Sequence, residues 1–145
     1  MNPHISVITL GVKDLSRAKQ FYSEGLGWPV QVDQGHFVSF TPAGGSSAVA
    51  LYPWDALAGD AKVPPQGNGF RGVTFNYIVR SDDRVDAVLA DAERAGGAIV
   101  KPAQQAGWGG YSGQFADPDG ILWKVVSGYY HRAGATVETQ DAFSE

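Results

Sequence analysis

The stretch Val7-Ile-Thr-Leu-Gly-Val-Lys-Asp14 decides the fold, because a similar stretch, Thr74-Phe-Asn-Tyr-Ile-Val-Arg-Ser81, begins 67 residues later. In each stretch bulky apolar side chains alternate with smaller or more polar ones, which predicts a strand with one face against a core. Ile8, Leu10 and Val12 form the apolar face of the first strand. A repeat at nearly half of the 145 residues predicts two equivalent halves.

A helical pattern follows each of these strands. Asp14 is the predicted N-cap of the first helix and Gly25 its predicted end, while Ser81 or Asp82 caps the second helix and Gly96-Gly97 ends it. The predicted apolar stripes consist of Leu15, Ala18 and Tyr22 in the first helix, and of Val85, Val88, Leu89, Ala92 and Ala95 in the second.

Three strand-like segments follow each helix, so that each half has the order β-α-β-β-β and the chain is predicted to be α+β. Those segments are residues 29–33, 36–41 and 47–52 in the first half, and residues 98–102, 111–116 and 121–127 in the second. Within a single domain 1–145, the predicted parts are a first module of about residues 4–53, a linker 54–69 rich in Pro, Gly and Asp, a second module of about residues 70–129, and a polar tail 130–145.

The composition excludes several classes of function. With 11 Lys and Arg against 15 Asp and Glu, the net charge of −4 argues against a nucleic acid partner, which needs a basic surface. The absence of Cys excludes disulfides, thiolate nucleophiles and cysteine zinc sites. We find neither an apolar run of about 20 residues nor a signal peptide, and therefore expect a cytoplasmic protein without a membrane partner.

The chain resembles the vicinal oxygen chelate superfamily of glyoxalase I, bleomycin-resistance proteins and extradiol dioxygenases. The resemblance lies in the opening stretch 7–15, in Phe21-Tyr-Ser-Glu-Gly-Leu-Gly27, and above all in Trp108-Gly-Gly-Tyr-Ser-Gly-Gln-Phe-Ala-Asp-Pro-Asp-Gly-Ile-Leu-Trp123. It covers about residues 4–129. It implies that two βαβββ modules form a curled mixed sheet around a cleft in which the ligand lies.

The resemblance also implies where a metal would bind. The family's metal enzymes place His and Glu at four cleft-facing positions, where the ion activates water or polarises substrate oxygens. By resemblance these positions are Val7, Ala50, Thr74 and Lys124 in this chain. None is a good ligand for a divalent cation, and an ammonium group repels one. We therefore predict no metal site and no cofactor; a divalent metal is expected only if this assignment of positions is wrong.

Strand alternation predicts which other residues face the cleft. They are a mixture of apolar, hydroxyl, amide, phenol and ammonium groups, as in a ligand pocket: Val7, Thr9, Ala48, Ala50, Tyr52, Thr74, Asn76, Leu122 and Lys124. Trp54, Phe70 and Trp108 lie in loops around them, and Trp54 and Trp108 either stack a flat ligand or cover the core. Lys124 either contacts a ligand anion, acts as a catalytic amine, or serves as an ion-pair or rim residue.

The remaining polar candidates have structural explanations. His4, His36 and His131 are predicted to be surface or turn residues. Asp117-Pro-Asp-Gly120 has the residue order of a type I turn rather than of a catalytic carboxylate pair. Residues 107–113 lack the strand, helix and Lys of a phosphate-binding loop.

Two functions remain open from the sequence. The first is a metal-independent binding protein that holds a small aromatic or amphipathic molecule. The alternative is a glyoxalase-related lyase or isomerase, or a dioxygenase-like enzyme, that uses Lys124 with Tyr52 or a divergent metal site. Whether the chain is an enzyme is therefore left open. A homodimer is also compatible with the sequence, because an exposed strand edge of each module needs covering.

Overall fold

A computed structural model of the chain describes residues 1–67, 69–71, 73–107 and 109–128. The chain forms two compact units that divide after Arg71, so that the predicted linker 54–69 belongs to the first unit. Each unit contains its own four-stranded mixed sheet, and the predicted α+β class is confirmed. No helix within the described ranges is both long and apolar enough to cross a membrane.

The first unit has the predicted β-α-β-β-β order followed by a further helix. Its described elements are β1 (Val7–Val12), α1 (Leu15–Gln20) with a π-helical continuation (Phe21–Gly25), β2 (Val30–Asp33), β3 (Val38–Phe40), β4 (Ala48–Pro53) and α2 (Trp54–Asp60). The strand order is β1-β4-β3-β2, in which β1 and β4 are parallel and the other neighbours are antiparallel.

The core of the first unit lies on the side of the sheet that carries α1. Ala18, Phe21 and Tyr22 are buried on the helix, together with sheet residues such as Leu10 and Phe40. The Tyr22 ring lies 4.8 Å from Trp28 and 5.9 Å from Phe40, centre to centre. Close-packed aromatic rings of this kind bury much of the apolar area of a small core, and the half-buried Trp28 packs at its edge.

The second unit repeats the first without the extra helix in its described part. Its elements are β5 (Thr74–Ile78), α3 (Asp82–Arg94), β6 (Ala98–Gln105), β7 (Tyr111–Ala116) and β8 (Leu122–Ser127). The strand order is β5-β8-β7-β6, with β5 and β8 parallel. Val85, Leu89 and Ala92 of the predicted apolar stripe are buried on α3.

The predicted helix starts are confirmed by their hydrogen bonds. The Asp14 carboxylate accepts the N–H of Arg17 at 3.0 Å, and the Ser81 hydroxyl accepts the N–H of Arg84 at 3.2 Å. Each cap satisfies one backbone donor that the first turn leaves without a partner. Gly96 ends α3 with a φ of 109°, a conformation that favours glycine.

The structure differs from the sequence prediction at α2 and β6. The stretch 54–69 is predicted to be a linker because it is rich in Pro, Gly and Asp, yet α2 forms within it. Leu57 and Trp54 of α2 come within 3.5 Å of the position that a Cβ on Gly11 would occupy, so packing on β1 stabilises the helix. The predicted segment 98–102 also ends too early, since β6 continues past Pro102 to Gln105 and contains two register shifts.

Candidate functional site

The first sheet presents a face on the side opposite α1, called here the first open face. It contains the cross-strand pairs Val7–Ala48, Thr9–Ala50 and Gly11–Tyr52. Paired residues point to the same side of a sheet and successive residues to opposite sides. Val7 is 53% exposed, whereas Leu10 on the helix side is 5% exposed. The predicted alternation of β1 is therefore observed.

One end of the first open face is aromatic. The ring of Tyr52 lies 6.5 Å from those of His36 and Phe37, both in edge-to-face geometry. Ser39 pairs with Ala50 and so faces the same side, and alternation places Phe37 there as well. This end of the face offers a phenol, a phenyl ring and an imidazole to an apolar or aromatic ligand.

Trp54 covers the same end of the face, where Gly11 leaves room. A Cβ on Gly11 would lie 3.5 Å from both Cα and Cε3 of Trp54. The indole N–H donates to the carbonyl of Pro65 at 2.9 Å. Lys13 Nζ and Arg71 Cζ lie 5.3 Å and 4.9 Å from the ring centre. A ligand that stacked on Trp54, as the sequence suggested, would therefore meet cations at the ring.

The second sheet presents a corresponding face on the side opposite α3, called here the second open face. A Cβ on Gly113 would lie 2.5 Å from Leu89 Cδ1 of α3, which shows that Gly113 points to the helix side. The open side contains the pair Thr74–Leu122 and a row that crosses all four strands, Asn76–Lys124–Gln114–Lys101. The predicted open-side residues of β5 and β8 are thus brought together.

Lys124 lies in the middle of that polar row and is half-buried. Its direct cross-strand neighbours are the amide side chains of Asn76 and Gln114. An ammonium group only donates hydrogen bonds, whereas amides both donate and accept. The combination suits a ligand carbonyl, carboxylate or phosphate oxygen.

The residues present at the implied metal positions do not fit a metal ion. Val7 and Ala50 carry alkyl side chains, Thr74 a neutral hydroxyl and Lys124 an ammonium group. A divalent cation in such a fold needs imidazole or carboxylate ligands. Throughout the described part of the chain, no group of three His, Asp or Glu residues is arranged to hold a metal ion.

The carboxylate of Asp117 is used by its own turn. Its Oδ1 accepts the N–H groups of Asp119 at 2.9 Å and Ile121 at 2.8 Å. The Asp117 carbonyl accepts the N–H of Gly120 at 3.0 Å, which is the closing hydrogen bond of the predicted turn. The structural interpretation of this motif is therefore confirmed.

Two described groups with shifted pKa values, Asp33 and Tyr111, lie on the helix sides of the sheets. A hydrogen bond from the Lys19 ammonium group lowers the pKa of Asp33, with a second contribution from the N–H of Gly35. The Tyr111 hydroxyl donates to Asp86 at 2.6 Å, which raises the pKa of Tyr111 because ionisation would break that bond. Both bonds join a helix to a strand, and neither group belongs to an open face.

Most of the predicted site residues lie on or beside the open faces. These are Val7, Thr9, Ala50, Tyr52 and Trp54 in the first unit, and Thr74, Asn76 and Lys124 in the second. Trp108 and His131 lie outside the described residues, and His4 and His36 are exposed as expected. The sequence interpretation missed Phe37, Ser39 and Gln114. The sequence shows that these residues alternate with apolar neighbours, but it does not show which residues pair with them across the sheet.

Comparison with known proteins identifies the family to which the chain belongs. A family model described as the Glyoxalase/Bleomycin resistance protein/Dioxygenase superfamily matches residues 4–125. Proteins named "Putative glyoxylase CFP32" from Mycobacterium tuberculosis and Mycobacterium bovis are 31% identical over 122 residues, which cover 81% of this chain. The matched part is 44% of each relative, so the chain spans less than half the length of these curated relatives.

Solved structures of glyoxalase-related proteins have the same fold as this chain. A glyoxalase-related enzyme from Fulvimarina pelagi matches with a TM-score of 0.76 and 28% identity, over 86% of this chain and 88% of that one. A lactoylglutathione lyase from Agrobacterium tumefaciens matches with a TM-score of 0.65 and 22% identity, over 88% of this chain and 96% of that one. The second similarity concerns the fold alone.

Proposed function

This chain belongs to the glyoxalase/bleomycin resistance protein/dioxygenase superfamily, and from that premise we propose that it binds a small aromatic or amphipathic molecule without a metal ion. The ligand lies against an open face of one of the sheets. The observation that carries the proposal is the chemistry at Val7, Ala50, Thr74 and Lys124, which offers no metal ligand where the family's enzymes have them.

The composition of the two open faces supports a ligand of mixed character. Tyr52, with Phe37 and His36 beside it, provides aromatic area in the first unit. Asn76 and Lys124 provide hydrogen-bond donors in the second unit. Small-molecule sites combine apolar walls with a few oriented polar groups in this way. An aromatic or amphipathic molecule suits the aromatic end of the first open face, and a molecule with an oxygen acceptor suits the polar row of the second open face.

A second candidate is an enzyme of the lyase, isomerase or dioxygenase-like type. Its support is the half-buried Lys124 between two amide side chains, together with the name glyoxylase carried by the curated relatives. A Lys in such a position is able to polarise a substrate carbonyl or stabilise an enolate. A lyase that depended on the usual metal would need ligands that these positions do not offer.

A thermal-shift screen separates the two candidates. We expect that EDTA leaves the melting temperature unchanged and that zinc, nickel, manganese and iron salts do not raise it. An aromatic ligand at 100 times its Kd contributes about 2.7 kcal/mol. In a chain of this size that corresponds to a rise of roughly 5–10 °C. One tightly bound metal equivalent in the purified protein, lost together with stability on chelation, would contradict the proposal.

Each ligand found in the screen is then tested on a matched pair of variants. Lys124→Met removes the charge from the half-buried centre of the polar row, and Lys101→Met removes one from its exposed end. For a ligand with a carbonyl or anionic group, we expect Lys124→Met to weaken binding about tenfold or more, since hydrogen bonds to charged groups contribute about 1.5–3 kcal/mol. Equal losses in both variants would show that Lys124 has no special contact.

A further inference from the structure

Lys13, Trp54 and Arg71 form a group, called here the Trp54 cluster, at the aromatic end of the first open face. The indole is half-buried, whereas both cationic residues are exposed. Lys13 Nζ and Arg71 Cζ lie 5.3 Å and 4.9 Å from the ring centre. Gly11, over which Trp54 packs, is directly paired with Tyr52. The cluster therefore adjoins the face on which the ligand is proposed to lie.

The backbone holds the Arg71 guanidinium group in place. Its Nη2 donates to the carbonyl of Gly67 at 2.7 Å. Gly67 has a φ of 121°, and a Cβ on it would come within 3.2 Å of Arg71 Nη1, so the guanidinium fills the space that the missing side chain leaves. The carbonyl is a neutral acceptor, so this hydrogen bond orients the guanidinium without neutralising its charge.

The two positive charges act on the same small region. Because both lie within 5.3 Å of one ring centre, they are separated by at most about twice that distance, close to the Debye length of about 8 Å at physiological ionic strength. The electron-rich face of an indole attracts cations and offsets part of their mutual repulsion.

We propose that the Trp54 cluster binds the anionic group of a ligand whose aromatic or apolar part lies on the first open face. The inference rests on the function proposed above and narrows it to one chemical class. That class is small molecules that join an apolar or aromatic body to a carboxylate, sulfonate or phosphate group. Arg71 suits such oxygens because its planar guanidinium group donates two parallel hydrogen bonds, and Lys13 adds a second charge.

Two fluorescent probes that differ by one anionic group test this inference. They are 8-anilinonaphthalene-1-sulfonate and its uncharged counterpart N-phenyl-1-naphthylamine, each titrated into the full chain. The variant Arg71→Gln removes the charge but keeps a side-chain N–H donor. We expect it to weaken sulfonate binding by about two- to fivefold, as for an exposed ion pair, and to leave binding of the uncharged probe unchanged. Lys13→Gln should behave in the same way.

The control variant Arg17→Gln removes the same charge from α1, which packs on the opposite side of the sheet. It should leave both probes unaffected, and melting curves of all variants check that they are folded. If Arg71→Gln and the parent chain bind the sulfonate equally while the uncharged probe still binds, the anion site is wrong but the proposed function stands. If neither probe binds the parent chain, both the anion site and the proposed function are contradicted. Equal weakening of both probes would assign the cluster a purely structural role.

Discussion

Gly113 shows at the scale of one residue how tightly the second unit is packed. A Cβ at this position would lie 2.5 Å from Leu89 Cδ1 and 3.0 Å from the backbone nitrogen of Ala103. Leu89 is a flexible side chain that is able to move, whereas the contact with Ala103 involves the backbone of β6, which is paired with β7 on both sides of this residue, at Lys101 and Gln104. Glycine is therefore required here because α3 and β6 leave no room for a side chain on β7.

We predict that Gly113→Ala destabilises the protein by about 1–3 kcal/mol, the usual cost of overpacking a core. Urea unfolding measures the free energy directly. Gly59→Ala is the matched control, because a Cβ on this α2 residue meets nothing within 4 Å and the substitution should instead favour the helix by up to about 1 kcal/mol. A Gly113→Ala variant as stable as the parent would show that β6 can shift away from β7.

At the scale of elements, a salt bridge joins α1 to β2. Lys19 Nζ lies 2.7 Å from Asp33 Oδ2, and both side chains are more than a third exposed. Asp33 pairs with the buried Val38, so its side chain faces the helix. Exposed ion pairs contribute little at neutral pH. This one is a direct side-chain contact between α1 and the edge strand β2.

The lowered pKa of Asp33 makes this contact depend on pH. Because the pKa of the folded state lies below the unfolded value of 3.8, the stabilisation is present above pH 3.8 and is lost as the pH falls through the folded-state pKa. We expect the difference in melting temperature between the parent chain and Asp33→Asn to be largest near neutral pH and to vanish in acid. Asp60→Asn, at the exposed end of α2, is the control. A difference that persisted in acid would contradict the assignment.

At the scale of the whole molecule, each unit has a four-stranded sheet with two outer strands. Within the described residues, β1 and β2 are the outer strands of the first sheet, and β5 and β6 those of the second. Exposed apolar side chains occur on three of them, at Val7, Val32 and Val100, and directly before the fourth, at Val73. Outer strands of this kind invite pairing with another chain unless something covers them.

We therefore expect the protein to form a homodimer. Size-exclusion chromatography with light scattering should give a mass of twice the 15.4 kDa of the chain, with dissociation on dilution. A ligand that binds more tightly to the dimer should shift that dissociation to lower protein concentration, because binding and assembly are thermodynamically linked. A mass of one chain at every concentration would rule the dimer out.

Much of the fold was predictable from the sequence because its signals are local. The repeat beginning at Val7 and Thr74, the caps Asp14 and Ser81, and the Asp117 turn each depend on residues close together in the chain. Strand alternation then assigned Ala50 and Lys124 to the sides opposite the helices, as the register shows. Periodicity reports the side of a strand reliably because successive side chains point in opposite directions.

Only the tertiary structure decided which residues meet. Lys124 lies between Asn76 and Gln114, and Trp54 lies beside Lys13 and Arg71, because strand register and helix packing bring together residues far apart in the chain. The helix α2 also depends on a long-range contact, because its packing on Gly11 stabilises it more than its own sequence does. The sequence thus determined the two modules and the side of each strand on which a residue lies, whereas long-range contacts determined the chemistry of the faces.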